Sequence, residues 1–252
     1  MTIDDAWSVD ATVESLRALP VRPTARVVFD VTISAAEYRG PVAAIHEVSD
    51  VMGELVDSQF VANLDAEAYA RRAEEYMDAL GSSVNTWEIG NEVNGEWLGA
   101  TRDVVAKMSA GYAAARGRCS PTALTLYYND GCWADADHEM FAWAEANVPA
   151  AMRQGLDYVL VSYYEDDCGG VRPDWPAVFR RLAGMFPSAA LGFGECGTSR
   201  PSAKPGYLSR YYGMRLSEER FVGGFFWWDF SSDMVPRSKP LWGVLHRLMA
   251  AR

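Results

Sequence analysis
A chain of 252 residues with 49% hydrophobic and 12% aromatic residues can bury a large core, and its 23% charged residues are ordinary for a folded protein, which excludes disorder. The net charge of -11 argues against nucleic acid, strongly anionic substrates and anionic membranes, because each needs a concentrated basic surface. The longest apolar runs are strand-sized, so no helical membrane span is expected.

Read from the N-terminus, MTIDDAWSVD lacks the basic and then apolar regions of a secretory signal, so the default expectation is a cytoplasmic protein. Residues 4–19 read as a helix, with Val9, Val13 and Leu16 on one face before Pro20. Strand-like runs then recur at 25–33 (ARVVFDVTI), 51–58 (VMGELVDS), 84–92 (VNTWEIGNE), 123–129 (ALTLYYN), 157–164 (DYVLVSYY), 189–195 (AALGFGE) and 222–230 (VGGFFWWDF). Helical stripes lie between them. Tyr69, Ala73, Tyr76 and Leu80 share one face between a capping Asp65 and a terminating Gly81. Val104, Met108, Tyr112 and Ala115 share another, and Phe179, Leu182 and Phe186 a third after Asp174.

Alternation of this kind predicts parallel strands with crossover helices, and near-continuous apolar strands predict a sheet covered on both faces. No glycine-rich nucleotide loop follows the first predicted strand, which counts against a dinucleotide fold, while polar residues ending successive strands favour a closed barrel. The expectation is therefore one TIM-type (β/α) barrel domain over residues 1–252. With seven predicted strands and a helix in front of them, the barrel should lack its first strand.

The run TWEIGNEVNG ends in Asn91 and Glu92, and ALGFGECG brings Glu195 to a strand end, with Leu191, Phe193 and Glu195 expected on one face. Two carboxylates at one rim suit glycoside hydrolysis, in which one protonates the departing oxygen and the other attacks the anomeric carbon or activates water. A separation of about 5–5.5 Å gives retention and about 6.5–9.5 Å inversion. An acidic residue ending a strand is also a common helix cap, so neither glutamate suffices alone. Glu88 alternates with Glu92 into the barrel, where it needs a partner, and Arg26 is a candidate. Asp30, Asp57 and Asn129 at strand ends would bind sugar hydroxyls or cap the next segment. Trp97 and Trp133 follow the fourth and fifth strands, where flat rings suit pyranose faces.

WEIGNEVNG, GFGECG and FFWWDF in this register resemble the clan A glycoside hydrolases, over nearly the whole chain in element order. The resemblance implies a (β/α)8 barrel and a retaining mechanism, with Glu92 as acid/base after strand four and Glu195 as nucleophile after strand seven. It implies Asn91 on the hydroxyl next to the anomeric carbon, Tyr164 of SYYED hydrogen-bonded to the nucleophile, and Trp228 as the floor under the reacting sugar. The arginine that several families of the clan place near the end of strand two to support the nucleophile is not found in VVFDVTIS.

The expected activity is cleavage of β-glycosidic bonds in a neutral oligo- or polysaccharide without a metal or organic cofactor. His46, His138 and His246 show no metal-ligand spacing, and the scattered Cys119, Cys132, Cys168 and Cys196 read as reduced thiols. A carbohydrate-binding pseudoenzyme with a degenerate barrel stays open as the alternative. An aldolase or isomerase is disfavoured, because no predicted strand carries an interior lysine. Unpaired sheet edges beside a missing strand would favour a homodimer.

Overall fold
The computed structural model describes residues 1–251. In chain order the elements are β1 (Thr2–Ile3), α1 (Val9–Arg17), β2 (Thr24–Val28), α2 (Ala35–Val48), β3 (Asp50–Glu54), α3 (Ala66–Leu80), β4 (Thr86–Glu88), α4 (Thr101–Gly117) and β5 (Thr122–Tyr127). There follow α5 (Met140–Asn147), α6 (Ala150–Gly155), β6 (Tyr158–Tyr163), α7 (Trp175–Met185), β7 (Ala190–Gly197), α8 (Lys204–Gly213), β8 (Phe221–Gly223), β9 (Trp227–Trp228), α9 (Phe230–Met234) and α10 (Pro240–Ala250). Strands β1 to β8 pair in parallel in chain order, a curled TIM-type sheet with helices outside, and β9 pairs with β7.

The helices start and stop where the side chains dictate. Asp65 accepts a hydrogen bond from the Ala68 N–H at 2.7 Å and Asp174 one from Ala177 at 3.1 Å, each satisfying an otherwise unpaired first-turn donor. The predicted stripe of α3 is the buried one, with Tyr69, Ala73, Tyr76 and Leu80 packed against the strands.

The first strand is present, contrary to expectation. Thr2 and Ile3 pair with Arg26 and Val27, and the helix read over residues 4–19 is confined to Val9–Arg17. Two residues are too few to show a period-2 pattern, whereas the adjacent helical stripe is long enough to dominate the reading. Among the described residues no ladder joins β1 to β8. The seam is covered by α9, whose Ser231 hydroxyl accepts hydrogen bonds from the backbone of Asp4 at 3.1 Å and Asp5 at 3.4 Å. The expectation of a homodimer started from a missing strand, and β1 removes that premise.

The last predicted strand is broken into β8 and β9. Gly223 and Gly224, at φ 89° and 76°, make the break, and a Cβ on Gly224 would lie 2.6 Å from the Phe193 carbonyl oxygen. The interior of the sheet is layered. Met52, Ala123, Leu160 and Phe226 form an apolar floor, and above it lie the buried charges of Arg26, Glu54 and Glu88.

Not all the cysteines are reduced thiols as expected. Cys132 and Cys168 form a disulfide between the segments after β5 and β6, while Cys119 and Cys196 are free. A separation of 36 residues gives no local spacing signal to read.

Candidate active site
At the C-terminal ends of the strands a cleft of about 600 Å³ is lined by Glu92 and Glu195, with Asp57, Ser58, Trp97, Tyr127, Tyr164, Asp166, Asp167 and Trp228 around them. An equally large cavity at the opposite ends of the strands holds a single carboxylate, Asp50, which is paired with Arg22 at 3.1 Å. The carboxylate pair thus belongs to the rim where barrel loops assemble sites.

Neither glutamate arrives by simple pleat alternation. Strand β4 stops at Glu88, and Glu92 sits four residues later in the left-handed region at φ 50°, so a turn rather than the pleat aims its side chain. In β7 the register against β6 shifts by one residue: Val161 pairs with Phe193, but Ser162 pairs with Glu195. The extra residue is Gly194, a bulge that reverses the alternation. Phe193 consequently faces outward onto Trp175, Phe179 and Tyr211, while Glu195 turns inward, correcting the expectation that they share a face.

Glu195 is buried among donors. Arg26 Nη1 lies 2.9 Å from its Oε1, the Tyr164 hydroxyl donates to Oε2 at 2.6 Å, and the Asn91 amide donates to Oε1 at 3.2 Å. Burial raises its pKa, and the Arg26 charge and the Tyr164 hydrogen bond oppose the rise. Tyr164 stays a donor, because burial and the charges of both glutamates hold its phenol well above its usual range.

Glu92 is buried without a cation. The Ser58 hydroxyl lies 2.7 Å from its Oε2 and the Ser162 hydroxyl 2.5 Å from its Oε1. Burial and the neighbouring Glu195 charge raise its pKa to about 8, against the smaller opposing effect of the two hydroxyls. The two carboxyls therefore differ in kind: one faces a guanidinium, the other only neutral hydroxyls and a negative neighbour.

Beneath them, Arg26 binds three carboxylates. It pairs with Glu88 through Nε at 2.6 Å, with Glu54 at 3.0 Å, and with Glu195. The partner anticipated for Glu88 is thus found, and Thr125 adds a hydrogen bond to it. VVFDVTIS holds no arginine, but Arg26, the residue just before it, reaches Glu195 from the middle of β2. Burial, and after it the neighbouring carboxylates, push Glu54 well above the usual carboxylate range against the pull of Arg26.

The remaining sequence candidates divide. Trp228 and Asp57 line the cleft, although the Asp57 carboxylate also caps the following turn by accepting from Gln59 N–H at 2.8 Å. Asn129 does not reach the cleft: its amide donates to the His138 carbonyl at 2.9 Å and accepts from the Met140 N–H at 3.0 Å, so both ends bind main chain. Asp30 is turned to its own loop, accepting from Thr32 N–H at 2.6 Å, and Trp133 lies outside the cleft lining. Trp97 lines the cleft, edge-on to Tyr127 at 5.3 Å. Asp166, held by Arg200 at 2.5 Å and Tyr207 at 2.8 Å, forms the wall beside Glu195.

No protein-family model matches the sequence, and no curated protein matches it. Solved structures do. An apo structure of a β-glucosidase, 1317, superposes with a TM-score of 0.63 at 17% identity, covering 97% of this chain and 87% of that one. The AHE enzyme from Alicyclobacillus herbarius gives 0.62 at 13% identity, covering 98% and 87%. Saccharomyces cerevisiae Gas2p in complex with laminaripentaose gives 0.60 at 16% identity, covering 96% of this chain and 58% of that one. At these identities the likeness shows the fold alone, a TIM-type (β/α) barrel.

Proposed function
We propose that the protein is a retaining glycoside hydrolase that cleaves β-glycosidic bonds of a neutral oligo- or polysaccharide, with Glu92 as acid/base and Glu195 as nucleophile. The observation that carries this reading is the contrast between the two carboxyls. Arg26 and Tyr164 favour an ionised Glu195, whereas Glu92, with a pKa raised to about 8, holds a proton near neutrality. A barrel fold shared with a β-glucosidase supports the reaction class.

In the first step Glu92 gives its proton to the departing oxygen as Glu195 attacks the anomeric carbon, forming a glycosyl ester. In the second, Glu92 takes a proton from water as that water displaces the ester. Asn91, next to Glu92 and bonded to Glu195, would meet the hydroxyl beside the reacting carbon. Trp228 would form the floor under that sugar, and Trp97 would carry the sugar on the leaving side. Asp57, Asp166, Asp167 and Asp229 line the cleft, which disfavours uronic acids and suits an uncharged glycan. Asp30 and Trp133 are left with at most a peripheral part in substrate binding. A sugar-binding protein without turnover was suggested by a missing first strand, and β1 removes that ground.

The test is release of reducing sugar from β-glucans, xylan, mannan and galactan by the wild type, Glu92→Ala and Glu195→Ala, with the first-formed anomer followed by NMR. Activity lost in both variants and an initial β-anomer are expected. Activity surviving in Glu195→Ala, or an initial α-anomer, would overturn the assignment.

A further inference from the structure
Glu92 presents an accounting problem that the proposed mechanism does not use. Each of its two carboxyl oxygens is already in hydrogen-bond contact with a serine: Oε1 with Ser162 at 2.5 Å and Oε2 with Ser58 at 2.7 Å. An ionised carboxylate only accepts, so both hydroxyls donate to it; a protonated one donates from one oxygen, and a hydroxyl facing that oxygen must turn and accept. The two serines are not equivalent. Ser162 lies within β6 and is absent from the cleft lining. Ser58 opens the short helical turn Ser58–Asn63, immediately after Asp57, and forms part of the cleft wall.

We propose that Ser58 is a positioning residue for the acid, a hydroxyl that reverses direction as Glu92 changes protonation state, while Ser162 fixes the other oxygen throughout. This rests on Glu92 being the acid/base. In the resting state the proton sits on Oε2, and Ser58 Oγ accepts from it while its own hydrogen points into the cleft. When Glu92 gives that proton to the departing oxygen, the C–O bond breaks and its electron pair stays with the leaving group. The Ser58 O–H then rotates to donate to Oε2. Water attack on the glycosyl ester returns a proton to Oε2 and reverses the rotation, so no proton or electron is left over. The charged and titratable groups around Glu92 are Glu195 from β7, Asp57 beside Ser58, Tyr164 after β6 and Tyr127 at the end of β5. None of the four is a cation, so the two serines are the groups here that favour the carboxylate.

The experiment is the pH dependence of kcat/KM for the wild type, Ser58→Ala, Ser162→Ala and Ser58→Thr, on an unactivated disaccharide and on a glycosyl fluoride whose departure needs little protonation. Ser58→Ala removes a hydrogen bond from both states of Glu92, and because the bond to the charged form is the stronger, the alkaline limb should move upward by about one pH unit, with Ser58→Thr returning it. Ser58→Ala should also lose at least ~10-fold more on the disaccharide than on the fluoride, as a fault in general-acid help requires. An unmoved limb with equal losses on both substrates would overturn the assignment and leave Ser58 as packing. If Ser162→Ala fails to fold, the Ser58 variants decide alone. If the wild type cleaves no glycoside, the mechanism in the preceding subsection fails. The serine contact is then read from the ¹³C-carboxyl titration of Glu92, identified by its loss in Glu92→Gln: an upward shift in Ser58→Ala supports it, and no shift overturns it.

Discussion

At alkaline pH, Glu92 should destabilise the fold, and Glu92→Gln should relieve the loss. The carboxyl has its ordinary value of 4.5 in the unfolded chain and about 8 in the folded one. Below pH 4.5 it is protonated in both states and contributes no pH dependence. Between those values the unfolded chain ionises freely while the folded one keeps its proton, so stability falls as pH rises, and the fall levels off above about 8. At ~1.36 kcal/mol per pH unit the full window corresponds to ~5 kcal/mol, an upper value that relaxation around the site reduces to a few. Glutamine is uncharged and nearly isosteric, and its amide can accept from one serine and donate to the other. The difference in stability between variant and wild type should therefore be smallest near pH 5 and grow by several kcal/mol by pH 9, or about 5–15 °C in Tm for a chain of this size. Thermal melts of both proteins at half-unit steps from pH 5 to 9 measure it directly. Parallel curves with a constant offset would refute the buried, cation-free description of Glu92.

Three further outcomes follow from the same interactions. Tyr164→Phe removes a hydrogen bond that favours ionised Glu195, so the acidic limb of the pH–rate profile should move upward by about one pH unit. Arg26→Met leaves Glu54, Glu88 and Glu195 without their shared cation and should lose about 3–5 kcal/mol in denaturant unfolding; Arg26→Lys should not restore it, because one ammonium cannot span three carboxylates. Cys132→Ser opens a link across 36 residues and should lose ~3–4 kcal/mol by loop-closure entropy, with reductant lowering the wild-type Tm but not the variant's.

What could be read from the sequence depended on how local its signal was. The stripe of α3 and its cap Asp65 are local and fall where expected, and the third stripe begins after Asp174 as read. The pair Glu92 and Glu195 was found because polar residues end apolar runs, and the structure brings both into one cleft. Ser58 also ends a predicted strand, so its hydroxyl carries the same rim signal. Arg26 was visible only as a partner for Glu88; that it also holds Glu54 and Glu195 depends on three strands meeting, which no spacing along the chain encodes. Asn129 looked like a rim residue because main-chain capping and sugar binding select the same amide. The Cys132–Cys168 link and the two-residue β1 are respectively too distant and too short to leave a pattern.

The bulge at Gly194 has an evolutionary consequence. Before it, β7 commits its large side chains to the helical shell, with Phe193 held among aromatic neighbours; after it, the same strand commits Glu195 to chemistry. The strand thus carries two messages in different phases, and a single inserted residue keeps them apart. Substitutions upstream can tune the packing of the shell without re-aiming the glutamate. Drawing Gly194 back into the pleat would instead restore strict alternation along the strand and turn Glu195 to the same side as Phe193, into the apolar shell. The glycine is therefore under tighter constraint than most letters around it, because a Cβ at 194 would lie 2.7 Å from Thr125 Cγ2 and press on the bulge.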